Sequence, residues 1–412
     1  MRCRFCDSNL DDPALDNVFV DLGSAPPSNA FVSSKALSEP EVHLPLKVRT
    51  CPQCLLVQVD EIQSHTELFA PDYVYYSSYS RSWLEHAERF VSLAASRLQL
   101  DCNSLVVEVA SNDGYLLQHV LTRGIPCVGI EPTTGTAHVA QGKGIDTEIE
   151  FFGLDFSRDF VIRRRQADLV IANNVLAHVP DLNDFVAGLA QLLAPEGSIT
   201  VEFPHLLQLV SKCQFDTIYH EHFSYFSLHV VRTVFAAHGL RIWDVEALST
   251  HGGSLRIWAA HEAGAQVETA AVARTLSEEA DAGMLKMDYY RGFQAKADHT
   301  KNELLRFLLQ QNGNGRKVVG YGAAAKGNTL LNYAGVRPDL LAYVADASPY
   351  KQGRYLPGSR IPVVAEDHLR ANRPEFVLIL PWNLLDEIVM QLSYVREWGG
   401  QFVIAVPKLT VQ

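Results

Sequence analysis

The tetrapeptide Tyr219-His220-Glu221-His222 places a phenol, two imidazoles and a carboxyl group at four consecutive positions. Histidine titrates near neutral pH, so we predict that His222 acts as a general base. Adjacent side chains of an extended segment point in opposite directions, so Glu221 and His222 share a face only in a turn or a bulge. The alternative is a metal site at His220 and His222, but no further ligand of suitable spacing is evident nearby.

A second segment whose residues could bind a ligand, Glu108-Val-Ala-Ser-Asn-Asp-Gly114, follows an apolar run. Gly114 lacks a Cβ atom, so the backbone can approach a ligand there. Glu131 ends the next apolar run, 17 residues later, where a carboxylate can accept both hydroxyl groups of a ribose. The segment lacks the Gly-x-Gly-x-x-Gly pattern, so it favours S-adenosylmethionine, which carries no phosphate, over a dinucleotide. The predicted cofactor-binding residues are Glu108, Asn112, Asp113, Gly114, Glu131 and Asn173. The alternative for Glu131 is a solvated loop acid.

Four of the seven cysteines form two Cys-x-x-Cys pairs, Cys3/Cys6 and Cys51/Cys54. Each spacing lets two thiolates from one tight turn face one tetrahedral ion, and four thiolates leave no position for water. We therefore predict a structural zinc site that staples a loop-rich segment too small to build its own core. Two disulfides, four free thiols or a redox pair are the alternatives, and the convergence of two pairs favours the metal.

A second glycine turn lies near the C-terminal end, in residues 320–328. A glycine turn before a helix is a ready anion site, and the Lys326 ammonium group can add a charge contact to a phosphate. Ala325 stands where the third glycine of a dinucleotide fingerprint would be, so the segment favours a diphosphate-linked substrate over NAD. The predicted substrate-binding residues here are Gly322, Lys326, Asn328 and Arg354. The alternative is a glycine turn that serves packing alone.

Apolar runs and helical patterns alternate around these motifs, which predicts an α/β fold. Buried strands are predicted over residues 105–110, 127–131, 167–172, 197–203, 317–320, 341–346, 376–380 and 401–405. The predicted domains are a four-cysteine zinc module (1–66), a central Rossmann-like methyltransferase domain (67–265) and a C-terminal Rossmann-like domain (266–412). The last begins with a helical linker over about 268–311. Doubly wound sheets bind ligands at the carboxyl ends of their strands, where both glycine turns fall.

The chain resembles the S-adenosylmethionine-dependent C-methyltransferases that act on nucleotide-linked keto-deoxysugars. The matching features are the two cysteine pairs, Glu108-Val-Ala-Ser-Asn-Asp-Gly-Tyr-Leu-Leu117, Asn173-Asn-Val-Leu-Ala-His178, Tyr219-His-Glu-His222 and the C-terminal glycine-rich segment. The resemblance covers essentially the whole chain. It implies methyl transfer to a carbon beside a keto group, with C3 beside a 4-keto group as the expected target.

Carbon has no lone pair, so its methylation requires a base that turns the ketone into an enolate and donors for the enolate oxygen. The site residues that the resemblance implies are His222, Glu221, Tyr219, His178 and Tyr73. The enolate donor is His178 or Tyr219, and the sequence does not choose between them. Tyr76 belongs to the same phenol-rich segment as Tyr73 and is predicted to contact the substrate within an aromatic wall. The alternative is a packing role for these tyrosines.

The composition excludes several classes of function. The net charge of −12 disfavours nonspecific nucleic-acid binding. No apolar stretch approaches the roughly 20 residues that span a bilayer, and the N-terminus lacks the apolar core of a secretory signal. We therefore expect a cytoplasmic monomer with a small-molecule nucleotide-sugar substrate. An NAD-dependent oxidoreductase that uses the C-terminal domain and a zinc-dependent scaffold are the alternatives.

Overall fold

The computed structural model describes residues 1–60 and 76–412, so the predicted pocket residue Tyr73 lies outside the described residues. The strands are β1 (Val18–Ala25), β2 (Leu44–Thr50), β3 (Val57–Val59), β4 (Val106–Val109), β5 (Cys127–Ile130), β6 (Asp146–Glu148), β7 (Ala167–Ile171), β8 (Leu193–Pro204), β9 (Ser224–Tyr225), β10 (Leu240–Leu248), β11 (Ser254–His261), β12 (Val318–Tyr321), β13 (Val344–Ala345), β14 (Val363–Val364), β15 (Phe376–Ile379), β16 (Gln401–Ile404) and β17 (Thr410–Val411).

The helices are numbered in the order in which they occur along the chain. They are α1 (Arg81–Leu98), α2 (Leu117–Leu121), α3 (Thr134–Gly142), α4 (Leu154–Arg163), α5 (Leu182–Leu192), α6 (Leu206–Ser211), α7 (Leu228–Ala237), α8 (Ala270–Asp281), α9 (Met287–Tyr290), α10 (Phe293–Gly313), α11 (Ala325–Tyr333), α12 (Asp367–Asn372) and α13 (Leu385–Gln391). Among the described residues, none of these helices combines the length and the apolar character needed to cross a membrane.

The N-terminal sheet has the order β1-β2-β3-β9, with antiparallel pairing throughout. In β2 the side chains of Leu46, Val48 and Thr50 are buried and alternate with outward-facing neighbours, as a strand packed on one face requires. The fourth strand, β9, comes from the central part of the chain and pairs Tyr225 with Val57. This sheet is therefore not built from residues 1–66 alone.

The central sheet has the order β10-β11-β8-β7-β4-β5-β6 in the described part of the chain. Five neighbouring strands, from β8 to β6, run parallel, and β11 is antiparallel to both β8 and β10. The order of connection reverses between β4 and β7, and a ligand crevice is expected beyond the carboxyl ends of strands at such a switch point. The sequence patterns predict β4, β5, β7 and β8 but give no strand over Leu240–Leu248.

Helix α1 illustrates how the helices cover this sheet. Its N-cap Ser80 accepts a hydrogen bond from the backbone N–H of Trp83, and Gln99 ends the helix in a left-handed conformation. Its buried side chains recur at spacings of three and four residues, which places them on one face. They are Ala87, Phe90, Val91 and Ala94. The sequence pattern predicts a helix over residues 83–100, and in the structure both ends lie two residues earlier.

The C-terminal sheet has the order β14-β13-β12-β15-β16-β17, and only the pairing of β17 is antiparallel. Its switch point lies between β12 and β15. The preceding helical region, predicted as one stretch over about 268–311, is divided into α8, α9 and α10. The breaks fall at Gly283 and Gly292. Their φ angles of 93° and 90° lie outside the helical region of the backbone, so no helix continues through them. The predicted α/β architecture, with an N-terminal cluster of four cysteines and two Rossmann-like units, is confirmed.

Candidate active site

The Tyr219–His222 segment forms a tight turn between two parts of the fold. The backbone N–H of His222 donates to the carbonyl oxygen of Tyr219 at 2.9 Å, which closes the turn. Strand β9 begins two residues later and pairs with β3 of the N-terminal sheet. On the same side, Nε2 of His220 lies 3.3 Å from the carbonyl oxygen of Leu44, so His220 fastens the turn to the N-terminal sheet. In this turn the adjacent side chains of Glu221 and His222 do not have to point in opposite directions, as they would in an extended segment.

His222 is held as a neutral imidazole of one tautomer. Its Nδ1 lies 2.9 Å from the carbonyl oxygen of Thr217, and a carbonyl oxygen only accepts, so Nδ1 carries the proton. The lone pair therefore lies on Nε2. Burial lowers the pKa of His222 well below its ordinary value, and the charges of His178, His251 and Lys326 act in the same direction. The ring is thus neutral at pH 7 and carries a lone pair at Nε2.

Two further rings enclose His222. The Tyr219 ring centroid lies 3.9 Å from that of His222, and the His178 ring meets it edge-on at 4.7 Å. Nδ1 of His178 lies 2.8 Å from the carbonyl oxygen of Glu221, so Nδ1 is the donor there as well. Burial lowers the pKa of His178 to about 4. The structure therefore brings together four of the predicted site residues, namely His178, Tyr219, Glu221 and His222.

The Glu221 side chain is buried and faces the N-terminal module. Nδ2 of Asn29 lies 2.9 Å from Oε1 and 3.0 Å from Oε2 of Glu221. Asn29 was not identified from the sequence, because 192 positions separate it from its partner. The Pro26-Pro27 pair that precedes it is a local sign of a fixed loop.

The first glycine turn lies at the carboxyl end of β4, at the central switch point. Ala110, Asn112 and Gly114 all have positive φ angles, of 56°, 52° and 74°. A Cβ atom at Gly114 would collide with Cδ1 of Ile145. Both the conformation and the available space therefore require glycine at this position.

Glu131 holds this turn in place. Its Oε2 accepts from the backbone N–H of Asn112 at 2.9 Å, and its Oε1 accepts from the backbone N–H of Thr133 at 2.9 Å. The Thr133 hydroxyl group donates to the same Oε1. Carboxylate oxygens can accept more than one hydrogen bond each, so ribose binding by Glu131 stays a prediction.

Buried oxygen atoms without a hydrogen-bond partner cluster around the ends of β4 and β7. Within residues 1–60 and 76–412 they include Oε2 of Glu108, Oγ of Ser111, Oδ1 of Asp113 and Oδ1 of Asn173. Burial raises the pKa of Glu108 well above its ordinary value, and the charges of Glu131 and Asp113 add to this effect. Buried polar atoms normally have partners, so this cluster fits a polar ligand with several hydroxyl or amino groups.

A charged network that was not predicted from the sequence lies beside Asn173. Glu202 of β8 accepts from Nη2 of Arg256 at 2.5 Å and lies 2.9 Å from Nε2 of His86. Nδ2 of Asn173 donates to the same carboxylate at 3.4 Å. Burial acts to raise the pKa of Glu202, but His86 and Arg256 outweigh it and hold the pKa below its ordinary value. The available signal was that Glu202 is the single charged residue of the predicted buried strand over residues 197–203.

His251 is a second residue that the sequence motifs do not identify. It lies between β10 and β11 with a φ angle of 53°. Its ring centroid is 5.2 Å from that of Trp83. Burial lowers the pKa of His251 to about 4, and the charge of Lys326 adds to this effect. The neighbouring Gly252-Gly253 pair was the signal that could have marked this loop.

Lys326 lies at the carboxyl ends of β12 and β15, the switch point of the C-terminal sheet. Its Nζ donates to Oδ1 of Asn383 at 2.6 Å and lies 4.7 Å from the centroid of the Trp382 ring. Trp382 in turn donates from Nε1 to Oδ2 of the buried Asp216 at 2.6 Å. Burial lowers the pKa of Lys326 and raises that of Asp216 to about 6. The hydroxyl group of Thr329, on the same helix as Lys326, donates to the carbonyl oxygen of Ile218 at 2.8 Å, so this helix packs against the start of the Tyr219–His222 turn.

Side chains from neighbouring segments pack against the second glycine turn. Gly322 has a φ angle of 84°, and a Cβ atom there would lie 2.5 Å from Cδ of Pro381. Oδ2 of Asp346 accepts from the backbone N–H of Ala323 at 2.6 Å. Nζ of Lys351 donates to the Ala323 carbonyl oxygen at 2.9 Å.

The other predicted substrate residues have separate locations. Nδ2 of Asn328 donates to the Ser28 carbonyl oxygen at 2.6 Å, while its buried Oδ1 has no partner among the described residues. Arg354 is exposed. The Tyr76 ring lies 6.5 Å from that of Tyr350, which joins the start of the central domain to the C-terminal domain. Substrate binding by these residues stays a prediction.

The four N-terminal cysteines form one cluster. Their Sγ atoms all lie within 4.8 Å of one another, with 3.5 Å between Cys3 and Cys54 and between Cys6 and Cys51. Zinc–thiolate bonds of about 2.3 Å in a tetrahedron separate the sulfur atoms by about 3.8 Å, so the cluster fits a zinc ion. Nε2 of Gln58 lies 3.2 Å from Sγ of Cys3 and can orient this ligand.

Sequence comparisons relate the whole chain to known proteins. The chain is similar to C-methyltransferase NovU of Streptomyces niveus, with 34% identity over 407 residues that cover 99% of this chain and 96% of the relative. A family model described as a C-methyltransferase C-terminal domain matches residues 249–407, and a methyltransferase domain model matches residues 83–245. A zinc binding domain model matches residues 3–69.

Solved structures of lower similarity also match. Magnesium protoporphyrin IX methyltransferase from Synechocystis, solved with bound SAH, shares 16% identity with a TM-score of 0.35. The match covers 43% of this chain and 83% of that chain. A Pyrococcus horikoshii protein shares 13% identity with a TM-score of 0.38, over 48% of this chain and 99% of that chain.

Proposed function

The chain belongs to the C-methyltransferase family, and we propose that it transfers the methyl group of S-adenosylmethionine to a carbon beside the keto group of a nucleotide-linked deoxysugar. We propose C3 beside a 4-keto group as the acceptor. One observation carries the proposal: His222 is half-buried and neutral, and its hydrogen bond to Thr217 fixes its tautomer. It lies in a turn near the switch points of both Rossmann-like sheets.

His222 is the proposed base. Its Nε2 lone pair takes the proton from the carbon beside the ketone, and the C–H electron pair moves into the enolate. The low pKa of His222 keeps the ring neutral at pH 7, so no proton has to leave before it acts. When bound, S-adenosylmethionine supplies the electrophilic methyl group that the enolate carbon accepts.

Tyr219 is the proposed donor to the enolate oxygen. His178 is the other residue considered, but its single N–H at Nδ1 is directed to the Glu221 carbonyl oxygen. With a pKa of about 4, neutral His178 has only a lone pair at Nε2 at pH 7. The phenol of Tyr219 stacks against His222 and carries a proton that it can donate.

The orphaned oxygens at the ends of β4 and β7 support a cofactor site there. Asp113 and Asn173 would accept from the amino and hydroxyl groups of S-adenosylmethionine, and Glu131 would accept from its ribose. The turn at Gly114 permits close approach of the backbone. The short turn without a dinucleotide fingerprint favours this cofactor over a dinucleotide.

The C-terminal switch point is the proposed site of the nucleotide-sugar substrate. Lys326 offers a cation there, with Gly322 and Asn328 on the same turn and helix and Arg354 and Tyr76 as further contacts. NAD fits this turn poorly, because Ala325 stands where the third glycine of a dinucleotide fingerprint would be.

Calorimetric titration of the purified protein with S-adenosylhomocysteine and, separately, with NAD tests the proposal. We expect micromolar binding of S-adenosylhomocysteine and no heat with NAD. Binding of NAD alone would replace the proposal with an oxidoreductase. The monomeric state and the cytoplasmic location remain predictions from the sequence.

A further inference from the structure

We infer that Asn29 is a positioning residue for the reaction, because it holds the carboxylate of Glu221 from the N-terminal zinc module. The inference rests on the proposed function only in that the reaction uses the Tyr219–His222 turn. It assigns a positioning role to the module that carries the predicted structural zinc site. It also identifies the amide group through which the module acts.

The Asn29 contact is directed at both carboxylate oxygens. Nδ2 lies 2.9 Å from Oε1 and 3.0 Å from Oε2, so the amide group straddles the carboxylate. Only the Nδ2 end of the amide can donate, which fixes its orientation. Hydrogen bonds to a charged acceptor are stronger than those between neutral groups, and Glu221 is buried. Loss of the amide group would remove both of these contacts from the carboxylate.

The loop that carries Asn29 is itself held by the C-terminal domain. The carbonyl oxygen of Ser28 accepts from Nδ2 of Asn328 at 2.6 Å, and the backbone N–H of Val32 donates to the Tyr355 carbonyl oxygen at 2.9 Å. Ser28 and Asn328 are both buried. Asn29 is therefore presented to Glu221 from a loop that is fixed on both sides rather than from a loose surface segment.

Glu221 transmits this placement to the catalytic rings. Its carbonyl oxygen accepts from Nδ1 of His178, whose ring packs edge-on against His222. If the Glu221 side chain moves, the peptide at the centre of the turn moves with it, and the His178 ring loses its orientation. A displacement of about 1 Å near a reacting group can cost about 100-fold in rate.

The zinc cluster is connected to the same turn by a second route. The side chain of Gln58 donates from Nε2 to Sγ of Cys3, and its backbone pairs with Ser224 of β9. Ser224 lies two residues beyond His222. Asn29 therefore contacts the turn at Glu221, and β3 pairs with the strand that follows the turn. Both Asn29 and β3 belong to the N-terminal module.

A double-mutant cycle on kcat tests the inference. Asn29→Ala is expected to lower kcat about 10- to 100-fold, with KM, zinc content and S-adenosylhomocysteine affinity within about threefold of wild type. In a Glu221→Ala background, the added Asn29→Ala change should cost less than about twofold, because its partner is already gone. Asn312→Ala, exposed at the end of α10, is the matched control and should leave kcat unchanged. Equal losses from Asn29→Ala in both backgrounds would overturn the inference.

A second measurement does not depend on turnover. Nitrogen-15 spectra of the histidine rings in the substrate-free protein should show a changed Nδ1 signal of His178 in Asn29→Ala and the wild-type signal in Asn312→Ala. Unchanged His178 signals in Asn29→Ala would overturn the inference. If the wild-type protein does not act on keto sugars, the proposed function fails, while these spectra still decide the role of Asn29.

Discussion

The Nδ1 atom of His222 lies 2.9 Å from the carbonyl oxygen of Thr217, and this hydrogen bond determines which nitrogen of the ring can accept a proton. The same arrangement recurs at His178, whose Nδ1 donates to the Glu221 carbonyl oxygen. Two neutral imidazoles therefore lie side by side, and neither offers an N–H at Nε2. This relationship supports His222 as the base and Tyr219 as the donor.

Tyr219→Phe removes the proposed enolate donor but keeps the ring that stacks on His222. We expect kcat to fall about 100- to 1000-fold, as for the loss of one donor to a developing oxyanion, with KM changed little. His178→Phe is the comparison, and steady-state kinetics is the measurement. A larger loss of kcat in the His178 variant, with Tyr219→Phe near wild type, would reverse the assignment.

Lys326→Met should shift the pH dependence of the reaction. Burial is the main reason for the low pKa of His222, and the Lys326 charge lowers it further. Removal of that charge raises the pKa of His222, so the acid limb of the kcat profile should move to higher pH. Lys408→Met, at an exposed position, is the control. If the acid limb does not move, the Lys326 charge does not affect the pKa of His222.

Cys51→Ala should release zinc and destabilise the N-terminal module. Cys51 is fully buried, and three thiolates cannot complete the tetrahedral shell. We expect metal analysis to give about one zinc per chain in the wild type, and less zinc with a lower melting temperature in the variant. Cys102→Ala changes an exposed cysteine and should leave both values unchanged. Equal zinc content in the wild type and in Cys51→Ala would remove the zinc model.

Acid should destabilise the fold through histidines whose pKa partial burial has lowered. Burial lowers the pKa of His178 and of His251 to about 4, whereas an unfolded histidine titrates near 6.5. The unfolded state therefore binds more protons between these pH values, and the free energy of unfolding decreases as the pH falls through this window.

Melting temperatures at pH 7 and pH 5 measure this effect. His178→Asn should reduce the difference between the two temperatures, and the exposed His138→Asn should not. The same pH dependence in both variants would show that His178 does not contribute.

Local patterns predicted much of the fold and part of the site. The cysteine pairs, the parallel strands and the Tyr219–His222 segment were identifiable because their residues are neighbours in sequence or recur at regular spacing. Pairing of β9 with β3 was not predictable, since two short strands far apart in sequence carry no register signal. The contact of Asn29 with Glu221 and the network of His86, Glu202 and Arg256 were not predictable either. In both, residues from separate elements meet only after folding.

The most direct test of the proposed chemistry is exchange of the proton on the carbon beside the ketone. A nucleotide-linked 4-keto-deoxysugar is incubated with the protein and S-adenosylhomocysteine in deuterium oxide, and deuterium at C3 is followed by mass spectrometry. We predict deuterium incorporation with the wild-type protein and none with His222→Asn, while His222→Asn binds S-adenosylhomocysteine within a few-fold of wild type. Exchange that continues in His222→Asn would contradict the assignment of His222 as the base.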